Sequence, residues 1–366
     1  MKITSSAEPQ QLALAHDSFT QLGGAERVVR ALHKAFPEAY VYTLVVDPSI
    51  KPHISQYRVV QTWLKWLYPF VPGLQWLLPF IPFAVWTIQP RADILLSSSS
   101  SFAKGIRLKK PGVHINYCHT PTRFIWIDRA YINQEVPILL RPLAKIFLHW
   151  LKLWDLRASE HVDYFIANSQ EVQKRIAQYY HRHSVVIHPG VDIDFWKPSR
   201  AKQNYFLIAG RLHAHKGNQA VIEACTKLGL PLHVVGTGRQ EQYLRKIAGP
   251  TVIFLGRVSD QVLRDEYSGA LGFIYPPLED FGLMPIEAAS CGTATLALSA
   301  GGSLETVVPG VTGDFFSSPT VQEISEKLTS WNQAAYTQEA LRKHARMFSE
   351  ATFRSRIKEF VQQVSE

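Results

Sequence analysis

The sequence predicts an α/β protein built on two parallel sheets. Three observations predict it. Short apolar runs alternate with helix-period segments twice over, once before residue 185 and again from about residue 205. A length of 366 residues exceeds what one ordinary core needs, so two domains are expected. A hydrophobic content of 46% with 19% charged residues describes a folded chain rather than a disordered one. Repeated βα units imply parallel strands joined by right-handed crossovers, hence two Rossmann-like domains that bind ligands at the carboxyl ends of their strands.

Taken in order, the first series opens with a strand at 12–16 and a turn through Gly23-Gly24. A helix follows, with Ala25, Val28, Val29, Leu32 and Phe36 at helical spacing. Further strands are expected at 39–46, 94–97, 113–118 and 164–167. The serine run 97–101 reads as a loop and helix cap without chemistry. The second series predicts strands at 205–209, 232–235, 252–255, 271–275 and 295–298. Between the series, residues 185–203 read as a turn-rich linker, with His188-Pro189-Gly190 and later Pro198. Asp192 and Asp194 make an Asp-x-Asp pair, read here as turn capping rather than a metal site. The tail, 348–364, has helical spacing at Phe353, Ile357, Phe360 and Val364.

Lys plus Arg number 39 against 30 acids, a formal net charge of +9 that favours anionic partners: a nucleotide, a phospholipid surface or nucleic acid. Cys118, Cys225 and Cys291 are sparse and odd in number, which fits a reducing compartment. The first eleven residues show no apolar signal segment. Two stretches suggest a membrane surface. Residues 66–90 contain no charge, yet Pro69, Pro72, Pro79 and Pro82 argue against a continuous spanning helix, so short buried or interfacial helices are expected. Residues 138–154 form a helix with Arg141, Lys145, His149 and Lys152 on one stripe and apolar residues over much of the rest. That pattern suits either an anionic interface or a core helix.

Four motifs carry candidate chemistry. Residues 279–291 follow an apolar strand ended by Pro276-Pro277. Pro285 suits a helix first turn and Gly292 a helix stop. This strand-loop-helix layout places Glu279 in the loop and Glu287 in the helix, with the amides of Phe281, Gly282 and Leu283 near a helix N-terminus. Such a turn suits an anionic ligand whose hydroxyls meet the carboxylates, though acidic loops of this kind also occur as plain turn chemistry. Gly23-Gly24 permits close backbone approach but lacks a dinucleotide fingerprint. Arg211 and Lys216 directly follow a strand and could neutralise a diphosphate, or merely form a solvated basic loop. His119 closes a strand, and its neighbour Cys118 should face the other way, which removes a thiol dyad.

The spacing Glu279…Glu287 and the run Gly210-Arg211…Lys216-Gly217 closely resemble the E-x7-E and GR-x4-KG motifs of the retaining glycosyltransferases of family 4. The resemblance covers nearly the whole chain, most strongly 188–313. It implies the GT-B fold: two Rossmann-like domains facing across a cleft, with a C-terminal helix crossing back to the first domain. Implied boundaries are 1–187, completed by 346–366, and 188–345. It further implies that Glu287 accepts from the ribose hydroxyls and Glu279 from the donor sugar. Arg211, Lys216 and the 281–283 amides would hold the diphosphate, Gly23 and Gly24 would lie beside it, and His119 would touch the donor. No obligatory metal or other cofactor is implied. Residues 122–128 resemble a subgroup that builds bacterial surface polysaccharides on lipid carriers, often from GDP-mannose, which makes Arg123 and Asp128 acceptor-side candidates. The expectation is thus a hexosyltransferase, peripheral on the inner face of the cytoplasmic membrane. It would use a nucleotide-sugar, possibly GDP-mannose, and a lipid-linked glycan, and would bind an anionic membrane surface but no nucleic acid. Another GT-B sugar-nucleotide enzyme, a hydrolase or epimerase, is the alternative, followed by a basic nucleic-acid-binding protein.

Overall fold

The computed structural model describes residues 10–127, 138 and 141–365. The chain divides into two compact units, one taking residues up to His188 together with Phe353 onward, the other Pro189–Thr352. Among the described residues the first unit holds a seven-stranded sheet of β1 (Gln10–His16), β2 (Tyr40–Thr43), β3 (Arg58–Gln61), β4 (Ala92–Ser99), β5 (Val113–Cys118), β6 (Tyr164–Ala167) and β7 (Ser184–Val186), in the order β3-β2-β1-β4-β5-β6-β7. All its pairings are parallel. The serine run is therefore not all loop: β4 continues through Ser99, because Ser97–Ser99 pair in register with Asn116–Cys118 of β5.

Strand alternation sorts the core. Leu14, Leu96, Ile115 and Tyr117 face a layer that includes Phe353 and Ile357 of the helix Glu350–Gln363. Ala13, Ala15 and Leu95 face the opposite layer, against Ala84, Val85, Leu151 and Trp154. The C-terminal helix thus belongs to the core of the first unit by its own apolar stripe. Cys118 faces a third cluster with Phe165 and Ile176.

The helix Arg141–Glu160 answers the question its composition left open by changing character along its length. Leu151, Trp154, Asp155 and Ala158 are buried, while Leu143, Ile146 and Leu153 are exposed. Its buried end is fixed by an ion pair between Lys104 Nζ and Asp155 Oδ1 at 2.6 Å, with both side chains almost inaccessible. Asp155 also accepts from Thr122 Oγ1 (2.8 Å), Trp126 Nε1 (2.8 Å) and Tyr180 OH (2.7 Å). One carboxylate thus ties Lys104, Thr122, Trp126 and Tyr180 to this helix. The uncharged stretch follows the 3-10 turn Trp63–Trp66 and, rich in proline, forms the 3-10 turns Tyr68–Phe70 and Leu74–Phe80 and a short α-helix Ile81–Thr87. No helix among the described residues is long and apolar enough to cross a membrane.

The second unit holds, among the described residues, a six-stranded parallel sheet. Its strands are β8 (Phe206–Ala209), β9 (Leu232–Val235), β10 (Val252–Gly256), β11 (Gly272–Tyr275), β12 (Thr295–Leu298) and β13 (Gly313–Phe316), ordered β10-β9-β8-β11-β12-β13. The segment read as a linker is packed: Val191 and Trp196 are buried in a cluster with Tyr267 and Ile286. Asp192 closes its own turn, accepting from Phe195 N at 3.1 Å.

Two outcomes follow. Lys104→Met leaves the Asp155 carboxylate buried without its cation and is expected to cost about 3–5 kcal/mol in urea unfolding. His114, buried and bonded through Nε2 to Ser97 Oγ at 2.8 Å, has its pKa pushed by burial from 6.5 down to about 3. The unfolded chain then takes up a proton that the folded chain refuses, so stability falls as pH drops below about 6.5. Going from there to about pH 5 should remove about 2 kcal/mol for this group. In urea unfolding, His114→Gln should lack that share of the acid loss.

Candidate active site

In an open parallel sheet the crevice lies where the strand order reverses. In the second unit the chain leaves β8 outward through β9 and β10, then returns to pair β11 beside β8 and runs outward the other way. The loop after β8 carries Gly210, Arg211 and Lys216, and the loop after β11 carries Glu279 and residues 281–283. The reversal thus brings the two motifs together although they lie far apart in sequence. Lys216 ends a short 3-10 turn, Ala214–Lys216, and is nearly buried. Its ammonium is hydrogen-bonded to Glu279 Oε1 as an ion pair. An ammonium has three donors, so this bond leaves Lys216 with capacity for an anion. Arg211 is exposed.

The field around this loop is positive. His213 has its pKa lowered by burial and then by Arg211, Arg239 and Lys216. His215 is lowered by burial and then by Lys216, His213 and Arg211. Two histidines that resist protonation beside fixed cations mark a place where a polyanion would be welcome.

The loop after β11 is shaped for backbone contact. Gly282, at a left-handed φ of 86°, caps the helix Leu283–Ser290. A Cβ there would also press on the Tyr275 ring at 3.2 Å. The first amides of this helix lack intrahelical acceptors and can face an anion. Phe281 is buried and packs on Phe348, and Glu287 is buried in the second turn. Tyr275 has its pKa pushed well up by burial and then by the nearby Glu279, Glu287 and Asp280, so its hydroxyl keeps its proton. The loop rests on Gly302, whose N–H donates to Glu279 O at 2.9 Å and whose α-carbon packs on the Phe281 backbone. Gly302 has no motif spacing that singles it out; its place in Gly301-Gly302 at a strand end was the available signal. Among the described residues no group of three His, Cys, Asp or Glu could hold a metal ion.

The first sheet reverses between β1 and β4, and polar residues gather there. His119 follows β5, and its Nε2 bonds Ser98 Oγ at 2.8 Å. Burial, followed by repulsion from His16, lowers its pKa to about 3. His16 ends β1 with Nδ1 at 3.2 Å from Ser98 O and Nε2 at 3.7 Å from Glu26 Oε1. Burial opposes its protonation, but the bond and charge of Glu26 outweigh it and raise the pKa. Glu26 also accepts from Gly23 N at 2.8 Å, so the Gly23-Gly24 turn is tied back to its own helix. Asp17 accepts four backbone N–H bonds, from Ser100 (2.6 Å), Ser101 (2.9 Å), Phe102 (2.8 Å) and Ala103 (2.7 Å). His16, Asp17, Glu26 and Ser98 escaped motif reading. The signal for His16, Asp17 and Ser98 was polarity at the ends of otherwise apolar strands, and for Glu26 its place in the first turn of the helix Gly24–Ala35. Arg123 begins a short helix, Arg123–Trp126, and is exposed; Asp128 lies outside the described residues.

Gly302→Ala would put a methyl carbon 2.2 Å from the Phe281 backbone. The loop must shift, with an expected cost of about 1–3 kcal/mol. Faster amide exchange across residues 279–283 would report the same displacement.

Comparison with known proteins finds glycosyltransferase sequence in both units. A family model described as glycosyl transferases group 1 matches residues 191–348, and one described as glycosyltransferase family 4 matches residues 22–195. A D-inositol 3-phosphate glycosyltransferase of Geodermatophilus obscurus is 28% identical over 185 residues, 41% of this chain and 41% of that protein. A GDP-mannose-dependent monoacylated alpha-(1-6)-phosphatidylinositol monomannoside mannosyltransferase of Corynebacterium glutamicum is 32% identical over 134 residues, 32% of this chain and 35% of that protein. The chain therefore matches these relatives over less than half of their length. Anabaena HepE, solved in complex with UDP-glucose, superposes with a TM-score of 0.71 at 19% identity, covering 96% of this chain and 99% of that one, a likeness of fold. With glycosyltransferase sequence across both units and two parallel Rossmann-like sheets, the chain belongs to the GT-B glycosyltransferases.

Proposed function

We propose that the chain is a retaining hexosyltransferase of family 4 that moves a sugar, mannose in the first instance, from a nucleotide-sugar to a lipid-linked glycan in surface-polysaccharide synthesis. The observation that carries this reading is the Lys216–Glu279 pair at the strand-order reversal of the second sheet. A buried cation tied to a carboxylate, beside Arg211 and the amides that open the helix Leu283–Ser290, matches the two ends of such a donor. The cations and amides meet the diphosphate, and the carboxylates meet hydroxyls. Glu287 is assigned to the ribose and Glu279 to the transferred sugar. The HepE complex with UDP-glucose and the relative named for GDP-mannose support a nucleotide-sugar and, more narrowly, mannose.

The chemistry follows from charge. As the glycosidic C–O bond breaks, negative charge grows on the leaving diphosphate. Fixed donors at Arg211, Lys216 and residues 281–283 stabilise that charge without reorganising. The acceptor hydroxyl attacks from the face the diphosphate leaves, and its proton passes to a departing phosphate oxygen. Configuration at the anomeric carbon is kept, and no side chain serves as nucleophile. His119, held near-neutral, can offer a hydrogen bond to the donor without adding charge. Arg123 and Asp128 are assigned to the acceptor side.

A thermal-shift screen over UDP- and GDP-sugars tests donor binding. A cognate donor at a hundred times its dissociation constant should stabilise the fold by about 2.7 kcal/mol. Lys216→Ala is expected to lower kcat by roughly 10²–10³-fold while changing the melting point little. A product of inverted anomeric configuration by NMR, or sugar release equally fast without acceptor, would refute the assignment.

A further inference from the structure

The first unit leaves a large aromatic face uncovered by its own fold. Trp66, Phe70 and Trp76 are 71%, 85% and 64% exposed. Other rings of the same stretch reach the exposed half of the helix Arg141–Glu160. Trp63 lies 6.3 Å from Phe80, and Phe83 lies 5.7 Å from Trp86 and stacks on Trp150 at 6.0 Å. Along the two segments that carry these rings the charge has one sign. No Asp or Glu occurs between Asp47 and Asp93, or from Arg141 to Trp154. Lys65, Lys145 and Lys152 are exposed on these segments, Lys65 lying over the Trp66 ring at 5.0 Å and Lys152 over the Trp126 ring at 4.4 Å. Beside the rings is a cavity of about 110 Å³ lined by Trp86, Trp150, Leu153 and Trp154, to which Arg107 and Arg157 add the charge.

Apolar rings flanked by cations, on proline-broken turns too short to span, are what an interfacial surface requires. A second copy of this chain would bring the same cations face to face, whereas an anionic leaflet complements them. We infer that this face docks the first unit onto an anionic phospholipid bilayer, with its rings at the acyl boundary and Arg107 and Arg157 receiving a lipid phosphate at the tryptophan-walled cavity. The inference rests on this surface and not on the reaction proposed above.

Cosedimentation of the full chain with phosphatidylcholine vesicles, with and without phosphatidylglycerol, tests it. Binding is expected only with phosphatidylglycerol and should weaken as salt rises. Trp66→Ser/Phe70→Ser/Trp76→Ser and Lys145→Ala/Lys152→Ala should each lower the partition coefficient roughly tenfold or more with unchanged melting points, the changed positions being exposed. Arg157→Gln should reduce the preference for phosphatidylglycerol. Equal binding to both vesicle types, or binding that survives both multiple variants, overturns the inference. So does failure to bind either vesicle, whether the chain stays monomeric or forms a dimer that Phe70→Ser abolishes, the latter assigning the face to a second copy.

Discussion

The handedness of the βαβ crossover governs the arrangement of this molecule. A right-handed connection carries each new parallel strand to a fixed side, so a sheet that grows in both directions must reverse once. At the reversal two adjacent strands send their loops apart and open a crevice. Here the reversals fall between β1 and β4 and between β8 and β11. The functional candidates of the second unit lie on the loops after β8 and β11, and the polar cluster of the first lies at the ends of β1, β4 and β5. Residues as distant in sequence as Lys216 and Glu279 meet because β8 and β11 are adjacent in the sheet.

That constraint also explains what could be read in advance. The inner strands were legible because burial on both faces makes continuous apolar runs, such as β11 and β12, buried along their length. The strands missed, β3, β7 and β13, all lie at sheet edges, where one side is unpaired and partial exposure weakens the pattern. At the site, Glu279, Glu287, Arg211 and Lys216 were visible as spacings along one loop or helix. Their pairing was not, since an ion pair between loops leaves no local signature. His16 and Ser98 were illegible for a related reason: their meaning comes from a neighbouring strand.

The uncharged stretch shows the same limit. Its composition predicted segments too broken to span, and the proline-rich stretch did form short turns and a short helix. Which rings point outward could not be read, because 3-10 turns interrupted by proline keep no steady period. The helix Arg141–Glu160 adds a second difficulty. It begins on the surface and ends in the core around Asp155, so one helical wheel misdescribes both halves.

Asp17 gives the twofold use of one fold its asymmetry. Four consecutive backbone N–H groups form a cradle of the kind that commonly seats a phosphate, and in the first unit that seat is filled by the chain's own carboxylate. The counter-ion is built in. A soluble polyanion arriving there would have to displace a tethered competitor at very high effective concentration, while the corresponding loops of the second unit carry Arg211 and Lys216. The two units share an architecture, yet their strand-end loops differ in charge. A single aspartate can therefore make two sheets of one architecture differ in what their loops offer an anion.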